Sequence, residues 1–509
     1  MFDLGRTILV AADRDPRATA IVDDDLRLDY GEWLERILSV VNGLRAMGLG
    51  HGDRLLVVLQ NRWEMATIHW ACQLAGIVVT PVNWRSKADE IDYYLEDSDA
   101  RAVAFEEISA ASVAASERAA ALPRIAVGEA AGGTAAFADL AANTPAEAAP
   151  GAIAEDLSLM LYTSGTTGRG KGVPRRHRVE RASAVAHVAQ NLYGYGERTL
   201  GVMPLYHTMG VRSLLAMALI NGSFVCQPRF DAGSALALIE RERVTNLYLV
   251  PTLYHDLLSN PAFAGADVSS VRKIGFAGMS MTDGLLARCD RAFKPDLFVN
   301  RYGSSEIYTF TIRQDAAAKP GSAGKTALNQ DIRVVRIGST DPTDTVPPAT
   351  EGQIIASLDG DESFDGYWRR PDADAKSLHD GWYFTGDVGY LDADGDLFVT
   401  GRVDDMIISG GENVLPVEIE SALSLHPAVA EVAVAGLPDD RWGGRISAFV
   451  KRAAPVTAEE LDAFCRESDL ANFKRPREYV FVQEIPKSPV GKILRRMLVS
   501  GDYQTDDAS

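Results

Sequence analysis

Tyr162-Thr163-Ser164-Gly165-Thr166-Thr167-Gly168-Arg169-Gly170-Lys171-Gly172 is the stretch on which the reading of this chain turns. It follows an apolar run, 157–163, with the length and composition of a buried strand. Glycines let a backbone turn sharply and approach an anion, while hydroxyls and amides donate hydrogen bonds to phosphate oxygens. Lys171 adds a charge that can reach the same oxygens. An ordinary surface loop needs neither this run of small and hydroxylated residues nor the lysine. Gly165, Gly170 and Lys171 also satisfy the opening of a P-loop, GxxxxGK, which continues with a Ser or Thr that holds magnesium. This chain has Gly172 there, so the P-loop reading lacks its metal ligand.

Outward from the loop, short apolar runs alternate with helical patterns. Upstream, Trp33, Leu34, Ile37, Leu38, Val41 and Leu44 fall at helical spacing within 31–49. Runs at 55–59, 77–82 and 102–105 read as strands, and 62–74 and 87–97 as helices. Downstream of 157–163, strands are expected at 199–204, 223–227, 246–250, 273–277 and 297–301, with helical patterns in most gaps. Such alternation predicts parallel sheets covered on both faces. An alanine-rich stretch, 110–150, divides two α/β blocks and reads as a peripheral excursion. From 307 to 400, short alternating strands with Gly, Pro and Asp punctuation predict a β-rich block. After Val403-Asp404-Asp405 comes a compact segment with a strand at 432–435, helices at 416–425 and 458–468, and a terminal tail. The fold class is α/β: an N-terminal domain, 1–403, of two α/β parallel-sheet subdomains plus a β-rich subdomain, and a small α+β C-terminal domain, 404–509.

The chain of 509 residues allows about three or four such units. Its 46% hydrophobic and 24% charged residues are globular averages, against extensive disorder. A net charge of −19 speaks against nucleic acid, whose phosphates need a basic stripe. No run approaches the roughly 18–20 apolar residues of a membrane span. The N-terminus carries Asp3 and Asp13 and lacks the apolar core of a secretory signal. Cys72, Cys226, Cys289 and Cys465 are far apart, with no CxxC pair and no metal-ligand spacing. Buried thiols in a reducing compartment, and so a cytoplasmic location, are expected.

Further segments stand downstream of the loop. They are Tyr302-Gly303-Ser304-Ser305-Glu306, Gly381-Trp382-Tyr383-Phe384-Thr385-Gly386-Asp387 and Gly401-Arg402-Val403-Asp404-Asp405. After these come Ser409-Gly410-Gly411-Glu412-Asn413 and Pro486-Lys487-Ser488-Pro489-Val490-Gly491-Lys492. Together and in this order they resemble the signature segments of the adenylate-forming superfamily of acyl-CoA synthetases, adenylation domains and luciferases. The resemblance covers nearly the whole chain. Met203-Pro204-Leu205-Tyr206-His207, Phe276-Ala277-Gly278 and Asp404-Asp405-Met406-Ile407-Ile408-Ser409 look most like 4-chlorobenzoate-CoA ligase and related aryl-CoA ligases. Gly170 departs from the family's usual Pro, and Ser304 and Ser305 stand where Thr is common. The hydroxyl of Ser305 would preserve the family's phosphate contact.

The resemblance implies ATP, Mg2+ and coenzyme A. A carboxylate attacks the α-phosphorus of ATP, releasing pyrophosphate, and the thiol of coenzyme A then displaces AMP. Neither step needs a nucleophile from the protein, in keeping with the lack of a Ser-His-Asp or Cys-His constellation. Lys492 would bridge carboxylate and α-phosphate as a flexible cation. Thr163, Ser164, Gly165, Thr166, Thr167, Gly168 and Lys171, with Ser304 and Ser305, would hold phosphates. Ala277, Gly278, Met279, Tyr302 and Gly303 would line the nucleotide pocket, Asp387 with Arg402 would take the ribose, and Glu306 the magnesium. His207 would gate the carboxylate. The acyl pocket would comprise His207, Thr208, Met209, Met279, Met281, Gly303, Ile307 and Tyr308. These are apolar or small and suit a neutral ring or short chain, although Arg212 stands close by in sequence. Asp404 would be the hinge of a mobile C-terminal domain. Gly410, Gly411, Trp442, Phe473, Arg475 and Arg477 would then meet coenzyme A. The expected substrate is a small carboxylic acid, of the benzoate type first. A short- or medium-chain or alicyclic acid is the alternative, as is transfer to a carrier protein. A non-catalytic acyl-nucleotide binder would have no need of Lys171, Glu306, Asp387 and Lys492 together. The sequence leaves the oligomeric state open, a homodimer included.

Overall fold

The strand Leu157–Thr163 sits near one edge of a seven-stranded sheet. The sheet runs Ala135–Ala136, Arg124–Val127, Ala100–Glu106, Arg54–Val58, Val78–Pro81, Leu157–Thr163, Lys171–Arg176. A computed structural model of the protein describes residues 2–163, 170–410, 412–439, 441–487 and 493–506. All strands of this sheet are parallel except the last, which turns back antiparallel and pairs Lys171 with Thr163. The chain therefore leaves the phosphate-loop segment into a strand. A P-loop would lead into a helix, so that competing reading ends here.

A second sheet begins with Leu26–Asp29 and Thr19–Asp23 and continues through Ser223–Cys226, Arg198–Gly201, Asn246–Leu249, Lys273–Phe276 and Leu297–Tyr302. From Thr19–Asp23 onward these strands are parallel. The first strand of the chain thus belongs to the second sheet, a placement that no periodicity announces. Beyond Leu297–Tyr302 the sheet turns antiparallel through Thr311–Arg313 and Ser322–Thr326, and then through Leu397–Arg402, Trp382–Leu391, Gly352–Ser357 and Ile332–Val335. The β-rich block is therefore a prolongation of the second sheet.

Between the sheets lie helices that are buried on every face and largely apolar, with a few polar groups such as His69 and Arg212 among them. Every residue of Trp63–Ala75 beyond Trp63 is buried, and so is nearly all of Thr208–Leu219; helices with so little polar surface are buried on every face. Surface helices keep one face polar and close their ends locally. In Tyr30–Ala46 the Asp29 side chain accepts from the Glu32 N–H while Glu32 returns to the Asp29 N–H.

The alanine-rich stretch is not the peripheral excursion its composition suggests. It supplies Arg124–Val127 and Ala135–Ala136 to the first sheet and buries Val113, Ala119, Ile125, Val127, Phe137 and Leu140. Alanine packs closely where a large side chain would not fit, so few large residues suffice there.

The three-ten turn Val403–Asp405 leads into a five-stranded sheet, with Glu412–Val414, Ile407–Ser409, Gly443–Arg452 and Val429–Asp439 in order and Glu478–Phe481 parallel to Gly443–Arg452. Helices Pro416–Ser424 and Ala458–Glu467 cover it from a core of its own. The region touches the rest of the chain where Glu431, itself paired with Lys487 of the same region, lies 3.4 Å from His255. All four cysteines are buried and unpaired. No helix among the described residues is long and apolar enough to cross a membrane.

Candidate active site

In an open parallel sheet, ligands bind beyond the carboxyl ends of the strands. Here the ends of Arg198–Gly201, Lys273–Phe276 and Leu297–Tyr302 lead into His207, into Ala277, Gly278 and Met279, and into Gly303 through Glu306. Three of the sequence segments are thus brought to one edge. Gly303 is obligatory there, since a Cβ would stand 2.1 Å from the Tyr308 carbonyl oxygen.

Tyr302 reaches the antiparallel extension of the sheet, where its hydroxyl donates to Oδ2 of Asp387 at 2.6 Å. Burial first, and the Asp387 charge second, push the Tyr302 phenol well above its ordinary pKa, so it remains a donor. Asp387 pairs across the hairpin with Arg402, whose Nε is 3.5 Å from Oδ1. Its backbone N–H donates to the Thr385 hydroxyl at 3.0 Å. This chain of polar groups fixes a carboxylate beside an aromatic ring, a suitable seat for a ribose and a base.

Glu306 is buried, and its Oε1 accepts from the Tyr367 hydroxyl at 2.7 Å. The Lys171 ammonium stands 3.8 Å from the centroid of the same tyrosine ring. Burial lowers the Lys171 pKa, with Glu306 opposing that shift. Arg175, four residues on, donates from Nη1 to the Glu306 carbonyl at 2.8 Å. The strand leaving the phosphate-loop segment and the segment carrying Glu306 are thereby tied together twice.

Among the described residues two groups have metal-like spacing. Asp392, Asp394 and Asp396 already surround the Lys319 ammonium at 2.5–3.0 Å, and His255, Asp256 and Glu431 lie between the two regions. Neither is at the strand ends. Glu306 offers one hard oxygen ligand beside a lysine, which fits Mg2+ held mostly by nucleotide phosphates and water.

His207 caps helix Thr208–Leu219, and its ring nitrogen accepts from the Met209 N–H at 3.5 Å. Its turn is held from the first sheet's side by Asn61, which donates to the carbonyls of Gly201 and Met203 and accepts from the Leu205 N–H. Thr208, Met209, Met281, Ile307 and Tyr308 are buried, and Met279 is half-buried. In the C-terminal region Gly410 has φ +62° and lies against Trp442, with Arg477 5.8 Å from that ring. Phe473 is exposed, whereas Arg475 is largely buried and bonded to Asp462 at 3.1 Å. Ser164, Gly165, Thr166, Thr167, Gly168, Gly411 and Lys492 lie outside the described residues.

Tyr367, Arg175 and Asn61 position the site yet escape a reading of motifs. Tyr367 follows Gly366 at φ +125°, and this glycine before an aromatic pair was the available signal.

The profile of the AMP-binding enzyme family matches residues 9–368, and that of the AMP-binding enzyme C-terminal domain matches 418–492. The chain is 34% identical to a 4-chlorobenzoate–CoA ligase from an Arthrobacter species, covering 96% of this chain and 93% of that protein. It is 31% identical to the long-chain-fatty-acid–CoA ligase FadD13 of Mycobacterium tuberculosis, covering 98% of each. Among solved structures, an anthranilate CoA ligase, AuaEII, in complex with anthranoyl-AMP superposes with a TM-score of 0.90 at 27% identity, over 98% of this chain and 97% of that one.

Proposed function

This chain belongs to the AMP-binding enzyme family, and on that premise we propose that it is an ATP-dependent acid–CoA ligase acting on a small carboxylic acid of the benzoate type. The observation that carries the reading is the pairing of Tyr302 with Asp387 in the second sheet beside Glu306, which Tyr367 joins to Lys171 on the last strand of the first sheet. The aryl acids named in two of the relatives support the benzoate class, and the fatty-acid ligase keeps an aliphatic acid as the second reading.

In this reading the acid's carboxylate oxygen attacks the α-phosphorus and pyrophosphate leaves. The thiolate of coenzyme A then attacks the acyl carbon and AMP leaves. The chain's task is to position anions and stabilise charge developing on phosphate oxygens. Asp387 accepts from ribose hydroxyls, Tyr302 packs along the base, and Lys171 with Ser304 and Ser305 meets phosphate oxygens. Glu306 would hold Mg2+, which neutralises phosphate charge when bound. Lys492 bridges the two reacting anions.

The second half-reaction uses the same pocket after residues 404–509 turn about Asp404. Asp404 is exposed in a three-residue turn between two strands, where one residue can absorb a rotation. Gly410, Gly411 and Trp442 then border the pantetheine arm, and Phe473, Arg475 and Arg477 the nucleotide of coenzyme A. Arg475 would have to exchange Asp462 for a phosphate.

The test is ATP-dependent pyrophosphate release across benzoates, cinnamates, alicyclic acids and fatty acids, with and without coenzyme A. Benzoates should dominate, and sustained turnover should need coenzyme A. A peak on aliphatic acids would keep the chemistry and replace the substrate. Pyrophosphate release without thioester formation would point to a different acceptor.

A further inference from the structure

Behind the expected acid pocket, buried charges fail to balance. Arg175, Arg212 and Arg301 are each at most 2% exposed, and Glu180 and Glu362 are fully buried. Arg175 and Glu180 neutralise each other through a 2.7 Å hydrogen bond from Nε to Oε1. Arg212 stands 3.9 Å from Glu362, beyond hydrogen-bond reach. Arg301 has no carboxylate partner among the described residues, and its Nη1 donates to the Thr309 hydroxyl at 3.1 Å. Three guanidinium groups against two carboxylates leave one positive charge uncompensated.

The surroundings feel that charge. Burial, and after it Arg301 and Arg212, hold the His187 pKa far below its ordinary value, so this imidazole adds no charge. Burial and the neighbouring Arg212 pull Arg301 down to about 10. A guanidinium out of water needs acceptors in place of it. Yet Nε and Nη1 of Arg212, and Nε and Nη2 of Arg301, have no hydrogen-bond partner among the described residues.

Position ties these groups to the acid. Arg212 is one helical turn beyond Thr208 and so shares its face of helix Thr208–Leu219. Its guanidinium carbon lies 4.8 Å from the Tyr308 ring centroid, and that of Arg175 lies 3.8 Å from the same ring. Tyr308 is thus the wall shared by the acid pocket and the cluster.

We propose that Arg212 and Arg301 form the far end of the acid pocket and receive a second carboxylate on the substrate. The inference rests on the ligase reading above and narrows it to a dicarboxylic acid. One carboxylate is adenylated, while the other remains ionised against planar guanidinium donors suited to it. The ring or short chain between them lies along Tyr308 and Ile307. Both oxygens of Glu362 also lack a hydrogen-bond partner, which makes a hydroxyl or amino donor the competing chemistry. The uncompensated positive charge decides for the anion.

The experiment compares isophthalate and terephthalate with benzoate, glutarate with butyrate, and hydroxy- and aminobenzoates with both. It reads kcat/KM for pyrophosphate release, and Kd by calorimetry on the full-length protein without ATP. At least one dicarboxylate should exceed its monocarboxylate counterpart by about tenfold or more in both readouts, because a site built for a polar group rejects the analogue lacking it. Arg212→Gln should abolish that ratio and Arg212→Lys should retain part of it. General damage to the fold would lower both acids together and leave the ratio standing. Preference for the monocarboxylates, or for hydroxy- or aminobenzoates, overturns the proposal, as does an unchanged ratio in Arg212→Gln. If no acid supports pyrophosphate release the ligase reading fails, and the calorimetric ratio still decides for or against the carboxylate site.

Discussion

The two halves of the candidate site are built in opposite ways. At the strand ends of the second sheet, Glu306 and Tyr367 are buried, and the carboxylates of Glu306 and Asp387 each have a fixed donor, Tyr367 and Tyr302 respectively. In residues 407–506 most candidate groups face outward: Gly410, Phe473 and Arg477 are exposed and Trp442 is half-buried, while Arg475 is largely buried against Asp462. Burial with fixed donors makes a group ready before its ligand arrives, because reorganisation has been completed on folding. Exposed groups on a second region with its own core acquire a pocket only by docking. Under the proposed function, the difference would have the first region serve both half-reactions and each face of the second serve one.

The sharpest way to break this contrast is a pair of substitutions. Asp387→Ala removes a pre-set acceptor and should slow both adenylation and thioester formation. Lys492→Ala should cut adenylation by about a hundred- to a thousandfold, the usual cost of a lost electrostatic donor, and leave conversion of supplied acyl-adenylate to thioester within a few-fold. Both rates are measurable in single turnover. Equal loss of both half-reactions in Lys492→Ala would erase the distinction between the regions.

A smaller effect is expected where the regions join. Proline fixes φ near the value of a three-ten turn, so Asp404→Pro should hold the present arrangement of Val403–Asp405. It should then spare one half-reaction and slow the other by roughly tenfold, as hinge changes do. Unchanged rates in both would move the hinge elsewhere.

What could be read from the sequence divides along the same line. The strand ends were legible because their motifs place glycine, hydroxyl and carboxylate groups in adjoining turns, and because a strand such as Leu157–Thr163 announces itself by composition. Asn61, Arg175 and Tyr367 were not legible. Each acts across a large sequence separation, as from Asn61 to Leu205 or from Tyr367 to Glu306, and a lone polar residue inside an apolar pattern does not name its partner. The core role of the alanine-rich stretch stayed hidden because small residues leave no periodic signal. Arg212 was visible as a charge close in sequence to the expected acid pocket, but its relation to Arg301 exists only after the sheet forms. In the C-terminal region the motif residues were visible, yet the Asp462 partner of Arg475 was not.

Titration sharpens the contrast with the smallest effect. Asp23, where the second sheet meets helix Trp63–Ala75, has its pKa pushed up to about 6, chiefly by burial, against the hydrogen bond from the Trp63 N–H. Asp439 in the C-terminal region is shifted the other way, lowered by the turn N–H groups of Trp442 and Arg441. A carboxyl whose folded pKa is raised favours unfolding once ionised, so the Asp23 penalty is complete above pH 6 and fades as pH falls toward the unfolded value of 3.8. Asp439 contributes stability above its unfolded pKa and loses it as pH falls through its lowered folded pKa. Asp23→Asn should therefore raise the melting temperature at pH 7.5 by more than at pH 4.5, with the two proteins converging only below the unfolded value of 3.8. Asp439→Asn should lower it at pH 7.5, with the deficit shrinking only below pH 4. Melting curves of the three proteins across this range check the signs, and a pH-independent difference for Asp23→Asn would mean that this carboxyl is as well solvated as those of the outer region.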